Sequence, residues 1–233
     1  MNKFKSAGML PLFVIATSQL AFSQENFVPG YVIKNDADTL FGFVDYRNWD
    51  KNPNEITFKT QLEGNAISFR TTDITEFKAG EEIYVSAIVD TEISSTQLDK
   101  LTKDFQTKIR VDTTFLQTLF DGKKSLYYYK NAEGRVNFYI RQNTAFDLLI
   151  YKKYIRKQDG KQVVAENKKY LGQLTLYLND CNTINSKLES TSYEKNSLIR
   201  LFQYYYNCSQ SEASFQTKPE KVRMEIGALA GAS

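Results

Sequence analysis

The sequence predicts an α+β protein: a β-rich N-terminal region of antiparallel strands and hairpins, followed by a disulfide-clipped helical pair. Three observations carry that prediction. From residue 27 to about 154, apolar residues come in short β-prone runs separated by turn-formers. Past Gln158-Asp159-Gly160 the apolar spacing changes to the three-and-four repeat of a helical face. The two cysteines, Cys181 and Cys208, fall at the ends of two such helical stripes. The chain therefore divides into a signal peptide at 1–23, a β-rich region at 24–157 and a helical pair at 158–208. A linker at 209–220 and a lone β-strand at 221–233 complete it.

At the N-terminus, Lys3 and Lys5 precede the apolar run Met9 to Ala16, and Ala21-Phe22-Ser23 supplies small residues at the cleavage positions. This is the pattern of a secretory signal, too short to span a bilayer. No cysteine follows the cleavage site to accept a lipid anchor. Removing Lys3 and Lys5 from 30 Lys and Arg, against 27 Asp and Glu, leaves a net charge near +1. That near-neutrality argues against capture of nucleic acid or an anionic membrane surface.

The stretch Phe27 to Lys59 opens the exported chain, and the rest is organised around it. Tyr31 to Ile33 and Leu40 to Val44 flank Lys34-Asn35-Asp36-Ala37-Asp38, a hairpin with a five-residue loop. A third run follows at Ile56-Thr57-Phe58, and the turn-former Asn52-Pro53-Asn54 puts the only tryptophan, Trp49, beside a chain reversal. Ala66 to Phe69, Ile83 to Val89 and Ile109 to Val111 are further short strands. Phe115 to Phe120, Ser125 to Lys130 and Arg135 to Arg141 then read as a three-stranded meander, with turns at Asp121-Gly122 and Glu133-Gly134. Side chains alternate along a strand, so Tyr128 must face opposite to Tyr127 and Tyr129.

In the helical region Leu171, Leu174, Leu178, Cys181, Ile184 and Leu188 form one stripe, and Leu198, Leu201, Phe202, Tyr205 and Cys208 another. Ser190-Thr191-Ser192 is the polar break between them and is suited to cap the second helix. An even cysteine count in an exported chain favours a Cys181–Cys208 disulfide over two buried thiols. Cys181 lies ten residues before Thr191 and Cys208 seventeen after it. Two straight antiparallel helices would misalign the cysteines by about 10 Å. The bridge thus requires a break in the first helix, expected at Asn182 to Asn185.

The chain contains no histidine, which removes His-based triads, the common zinc sites and imidazole acid–base catalysis. Asn35-Asp36-Ala37-Asp38 offers oxygen ligands, but Leu40 stands where a calcium loop needs an acid or amide, so a plain hairpin loop is expected. Asp45, Asp50, Glu81 and Glu82 are the carboxylates an acid–base pair would draw on, yet nothing in their spacing sets a distance. Catalytic, cofactor and metal residues are therefore read as none. Tyr46, Arg47 and Trp49 are the candidate contact surface, because aromatic and arginine side chains near a loop are the usual anchors of interfaces. The other reading, which the sequence favours, is a tryptophan closing the edge of the β-rich core.

Gly30-Tyr31-Val32-Ile33, Asp38-Thr39-Leu40-Phe41-Gly42, Asp45-Tyr46-Arg47-Asn48-Trp49 and Asn52 to Phe58 together resemble the N-terminal soluble region of the PorT-like outer-membrane β-barrel proteins of Bacteroidota. Ser125 to Tyr129 and the segment closing on Tyr206-Asn207-Cys208 are similar to the same group. The resemblance implies location and architecture, and no chemistry. Val222 to Ser233 alternates apolar residues with small and polar ones, as a barrel strand with a lipid side and a lumen side does. Those residues supply one strand where a barrel needs about eight. The segment thus reads as the first strand of a barrel cut short, or as the tail of a soluble descendant.

Function is read as a non-enzymatic cell-envelope binding or assembly module of a Gram-negative bacterium, exported to the periplasm or outer membrane. Its partner would be an envelope protein or glycan, with no nucleic acid and no cofactor. A glycan-binding or glycan-acting envelope protein is the alternative. Two close carboxylates with raised pKa values would favour the acting form, and a concave aromatic surface the binding form.

Overall fold

The structure, a computed structural model, describes residues 26–217. The signal read at 1–23 and the strand read at 221–233 lie outside them. Strands account for 46% of the described residues and helices for 16%, so the architecture is mainly antiparallel β with a small helical layer. In chain order the strands are β1 Phe27–Lys34, β2 Thr39–Asp45, β3 Glu55–Lys59, β4 Ile67–Arg70, β5 Ile74–Ala79 and β6 Glu82–Glu92. There follow β7 Ile109–Gly122, β8 Leu126–Lys130, β9 Val136–Gln142, β10 Ala145–Leu148, β11 Lys152–Gln158 and β12 Lys161–Asn167. Helices α1 Lys169–Tyr177, α2 Ile184–Leu188 and α3 Lys195–Cys208 precede the last strand, β13 Ala213–Gln216.

All but β11 and β12 join one eleven-stranded sheet in the order β10-β9-β8-β7-β6-β5-β1-β2-β3-β4, with β13 added to β7. The first hairpin is central, since β1 pairs with β2 on one edge and β5 on the other. Gly30 of β1 lies opposite Gly42 of β2. A Cβ at Gly30 would come within 1.9 Å of the Lys78 carbonyl oxygen, and one at Gly42 within 2.2 Å of that of Lys59. The backbones approach so closely there that only glycine fits.

The N-terminal strands contribute to a buried cluster that includes Val32, Val44, Phe58, Phe77, Tyr84 and Phe115. Across the sheet, Ala87, Val89, Leu116, Tyr127, Tyr129, Tyr139 and Leu148 form a second cluster on the opposite face. Tyr84, Gln117, Tyr128 and Phe138 are successive cross-strand partners and so share one face. Because Tyr84 belongs to the N-terminal cluster and Phe138 to the helical one, the helices cover the same face further along the sheet.

The helical layer differs from its sequence reading in three ways. The first stripe is two helices: α1 ends at Tyr177, the break runs through Leu178 to Thr183, and α2 begins at Ile184. The break thus starts before the expected Asn182 to Asn185, overlaps it at Asn182 and Thr183, and contains Cys181 itself, which is how that residue reaches Cys208 in a disulfide with a Cα–Cα distance of 5.7 Å. Tertiary partners hold the break open, since the Asp180 carboxylate accepts from the Tyr205 hydroxyl at 2.8 Å and lies 2.6 Å from Lys123 Nζ. Nor do Ser190 to Ser192 cap the next helix. The Ser190 and Thr191 hydroxyls donate back to the Lys187 carbonyl at 3.1 and 2.8 Å, and Glu194 occupies the cap position of α3. Finally, Lys161–Asn167, placed in the helical region by the sequence, is strand β12, paired with β11 across the Asp159-Gly160 turn.

The linker read at 209–220 contains β13. Strand β7 outlasts β6, which leaves it at Gln117, and β13 takes the vacated edge from Phe120 to Gly122. Among the described residues no helix is long and apolar enough to cross a bilayer.

Candidate functional site

On the shared face, a cleft of about 360 Å³ opens between the N-terminal cluster and the helical layer. Its floor is the row Tyr84, Gln117 and Tyr128, contributed by adjacent strands β6, β7 and β8. One wall is the loop after β2, with Tyr46, Asn48, Trp49, Asp50 and Asn52. The facing wall is Lys195 at the start of α3, whose ammonium stands 5.1 Å from the centre of the Tyr128 ring, and Glu82 closes the β6 end.

The loop is fastened by Asn52. Its side-chain NH₂ donates to the Phe115 and Tyr128 carbonyls at 2.9 and 3.1 Å, and its side-chain oxygen accepts from the Lys130 N–H at 3.0 Å. Its backbone N–H adds a bond to the Lys130 carbonyl at 3.1 Å. The regular pairing of β7 with β8 stops at Gln117 and Tyr128, so Asn52 satisfies backbone groups the two strands leave open where they part. Lys130 Nζ reaches Asp50 at 2.6 Å, and Lys51 donates to the Ala132 carbonyl, tying the same loop to the β8–β9 turn.

The sequence-derived contact residues divide. Trp49 packs edge-on against Tyr46, Phe77 and Tyr84, at ring-centre distances of 5.0, 5.9 and 5.7 Å, and keeps part of its surface in the cleft. It therefore closes the core and lines the cleft at once. Tyr46 does the same. Arg47 is not part of the cleft lining; its side chain is 72% exposed, with the guanidinium bonded to Asp45 at 2.7 Å.

Of the four carboxylates weighed in the sequence, Asp50 and Glu82 line the cleft, while Asp45 pairs with Arg47 and Glu81 sits in the β5–β6 turn. The Lys130 ammonium holds the Asp50 carboxyl below the usual carboxylate range. Glu82 accepts from the Tyr84 hydroxyl at 2.7 Å. Burial, with the charge of Glu82 beside it, pushes the Tyr84 phenol well above its ordinary value, so it stays a donor. Asp36 and Asp38 turn to the Lys34 ammonium at 3.7 and 2.9 Å, and no cluster of metal-ligating side chains occurs among the described residues.

Asn48, Asn52, Tyr84, Gln117, Tyr128 and Lys195 line the cleft without being singled out as site residues by the sequence. Tyr128 was read only as the odd member of the Tyr127–Tyr129 triplet. Lys195 has no sequence signature. Gln117 had a faint one, an amide interrupting the apolar run Phe115 to Phe120, where alternation gives no reason for a long polar side chain. Compared with family models, with curated proteins and with solved structures, the chain matches none.

Proposed function

We propose that this protein is a non-enzymatic binding module of a Gram-negative cell envelope, with the cleft under Trp49 as its binding site. The observation that carries the reading is the anchoring of the cleft wall. Asn52 makes four hydrogen bonds, so the loop bearing Tyr46, Trp49 and Asp50 is held in place before any ligand arrives. A part-exposed indole backed by buried rings is the usual anchor of a recognition site. The Lys130 ammonium keeps the Asp50 carboxyl ionised, which disfavours it as a general acid. The Cys181–Cys208 bridge fits an oxidising, exported compartment. Periplasmic or outer-membrane residence rests on the signal pattern and on the resemblance to the soluble region of PorT-like proteins.

Photo-crosslinking tests the site. With Tyr46 replaced by a photoreactive phenylalanine, a conservative change in the cleft wall, illumination in envelope extract should add a defined mass to the protein. The same residue placed at Arg156, exposed on β11, serves as control and should add none. Equal labelling at both positions, together with loss of the cellular role in Glu82→Gln, would replace this reading with an enzymatic one.

A further inference from the structure

Gln117 presents a side-chain amide to the floor of the cleft. The residue is 4% exposed. Its side-chain amide nonetheless makes no hydrogen bond with any described residue, and it lines the floor of the cleft between Tyr84 and Tyr128. The amide is not sealed off: its polar atoms reach the cleft, where water serves them. The sheet does not require it, since the ladder uses backbone groups alone and a leucine would fill the same place. A ligand that hydrogen-bonds the amide accounts for it.

The surroundings narrow the chemistry. Two carboxylates, Asp50 and Glu82, stand against two ammonium groups, Lys130 on Asp50 and Lys195 across the cleft. That balance offers no net field to draw in an ion. The indole is already packed against three rings, and the rest of the rim is amide, carboxylate, phenol and ammonium, so no dry pocket exists for a peptide's apolar side chain. A ring with apolar C–H faces and a rim of hydroxyls matches both features. Its faces lie on the exposed part of Trp49, and its hydroxyls both donate and accept, as the amide of Gln117 does.

We infer that Gln117 reads the hydroxyl edge of a neutral pyranose ring seated in the cleft against Trp49, which makes the protein a carbohydrate binder. This rests on the cleft being the binding site. Trp49 is the only tryptophan, so its emission reports occupancy. Titration of the exported chain with neutral trisaccharides of glucose, galactose, mannose and N-acetylglucosamine should shift that emission saturably for at least one sugar. Gln117→Ala should weaken the same sugar about tenfold, and Gln117→Leu likewise, with thermal midpoints unchanged or raised.

Triglycine and inorganic phosphate are the comparison probes. If either shifts the emission in a Gln117-dependent way and no trisaccharide does, the sugar assignment is overturned while the cleft stands as a binding site. Silence of every probe, or a sugar response equal in Gln117→Ala, also overturns the inference. The Tyr46 photo-adduct then decides separately whether the cleft binds anything.

Discussion

Single residues in this protein act through backbone groups that belong to other segments. Asn52 is the clearest case, since its side chain alone serves the Phe115 and Tyr128 carbonyls and the Lys130 N–H. Asn52→Ala leaves all three without that partner and should cost about 2–3 kcal/mol in urea unfolding. Trp49 emission should move to longer wavelength as the loop lifts. Glycine positions make the complementary point. Gly30→Ala puts a Cβ within 1.9 Å of the Lys78 carbonyl oxygen and should destabilise by at least about 3 kcal/mol. Gly172→Ala, in α1 with nothing within 4 Å of the new Cβ, should instead stabilise by about 0.5–1 kcal/mol. Both are glycines in sequence, and nothing local separates them. The neighbour that forbids a side chain at Gly30 lies 48 residues away on β5.

Among the elements, the helical layer depends on its clip. Cys181 and Cys208 are 27 residues apart and close a loop that the chain-entropy model makes worth roughly 3.5 kcal/mol. Reduction should therefore raise amide exchange in α1, α2 and α3 while β6, β7 and β8 stay protected. Mass-spectrometric exchange before and after reductant checks the order. Helix α3 keeps a second attachment, with Phe202 and Tyr206 set 5.6 and 5.8 Å from Phe120 of β7. The layer should thus loosen rather than detach. The break between α1 and α2 was legible as a need, because the cysteines could not meet across straight helices. Its place was legible only in part, because Tyr205 and Lys123, which hold Asp180 in the break, come from α3 and the β7–β8 turn.

Across the whole molecule, titration is governed by tyrosine and carboxylate, since there is no histidine. Burial pushes Tyr170 and Tyr177 up to about 12. It also raises Tyr139, Tyr151, Tyr193 and Tyr205. In the unfolded chain these phenols ionise near pH 10, while the folded protein keeps their protons. The stability they contribute is therefore complete below about pH 10 and is lost as pH rises through about 12. On the acid side, bonding to Lys130 lowers Asp50, and bonding to Ser68 and Arg70 lowers Glu55, so their contribution is lost only as pH falls below about 4. Thermal midpoints should be flat between about pH 5 and 9. Above that range, phenolate absorbance should rise in one step with loss of circular dichroism. For the export reading, the intact mass of secreted protein should place the N-terminus at Gln24.

What the sequence determined by itself was whatever repeats locally. Two apolar runs around the polar cluster Lys34 to Asp38 specified the first hairpin, the three-and-four spacing specified helices, and an even count of two cysteines pointed to their bridge. Alternation alone set Tyr128 opposite to Tyr127 and Tyr129. Tertiary structure decided which strand lies beside which, because pairing is chosen by backbone groups common to every residue and by burial summed over distant segments. That choice set β5 rather than a later strand against β1, and drew Ala213–Gln216 out of a polar stretch onto the edge β6 leaves free. It also aligned Tyr84, Gln117 and Tyr128 across three strands. The cleft exists only because residues 46–52 and Lys195, more than 140 positions apart, close on that row from opposite sides.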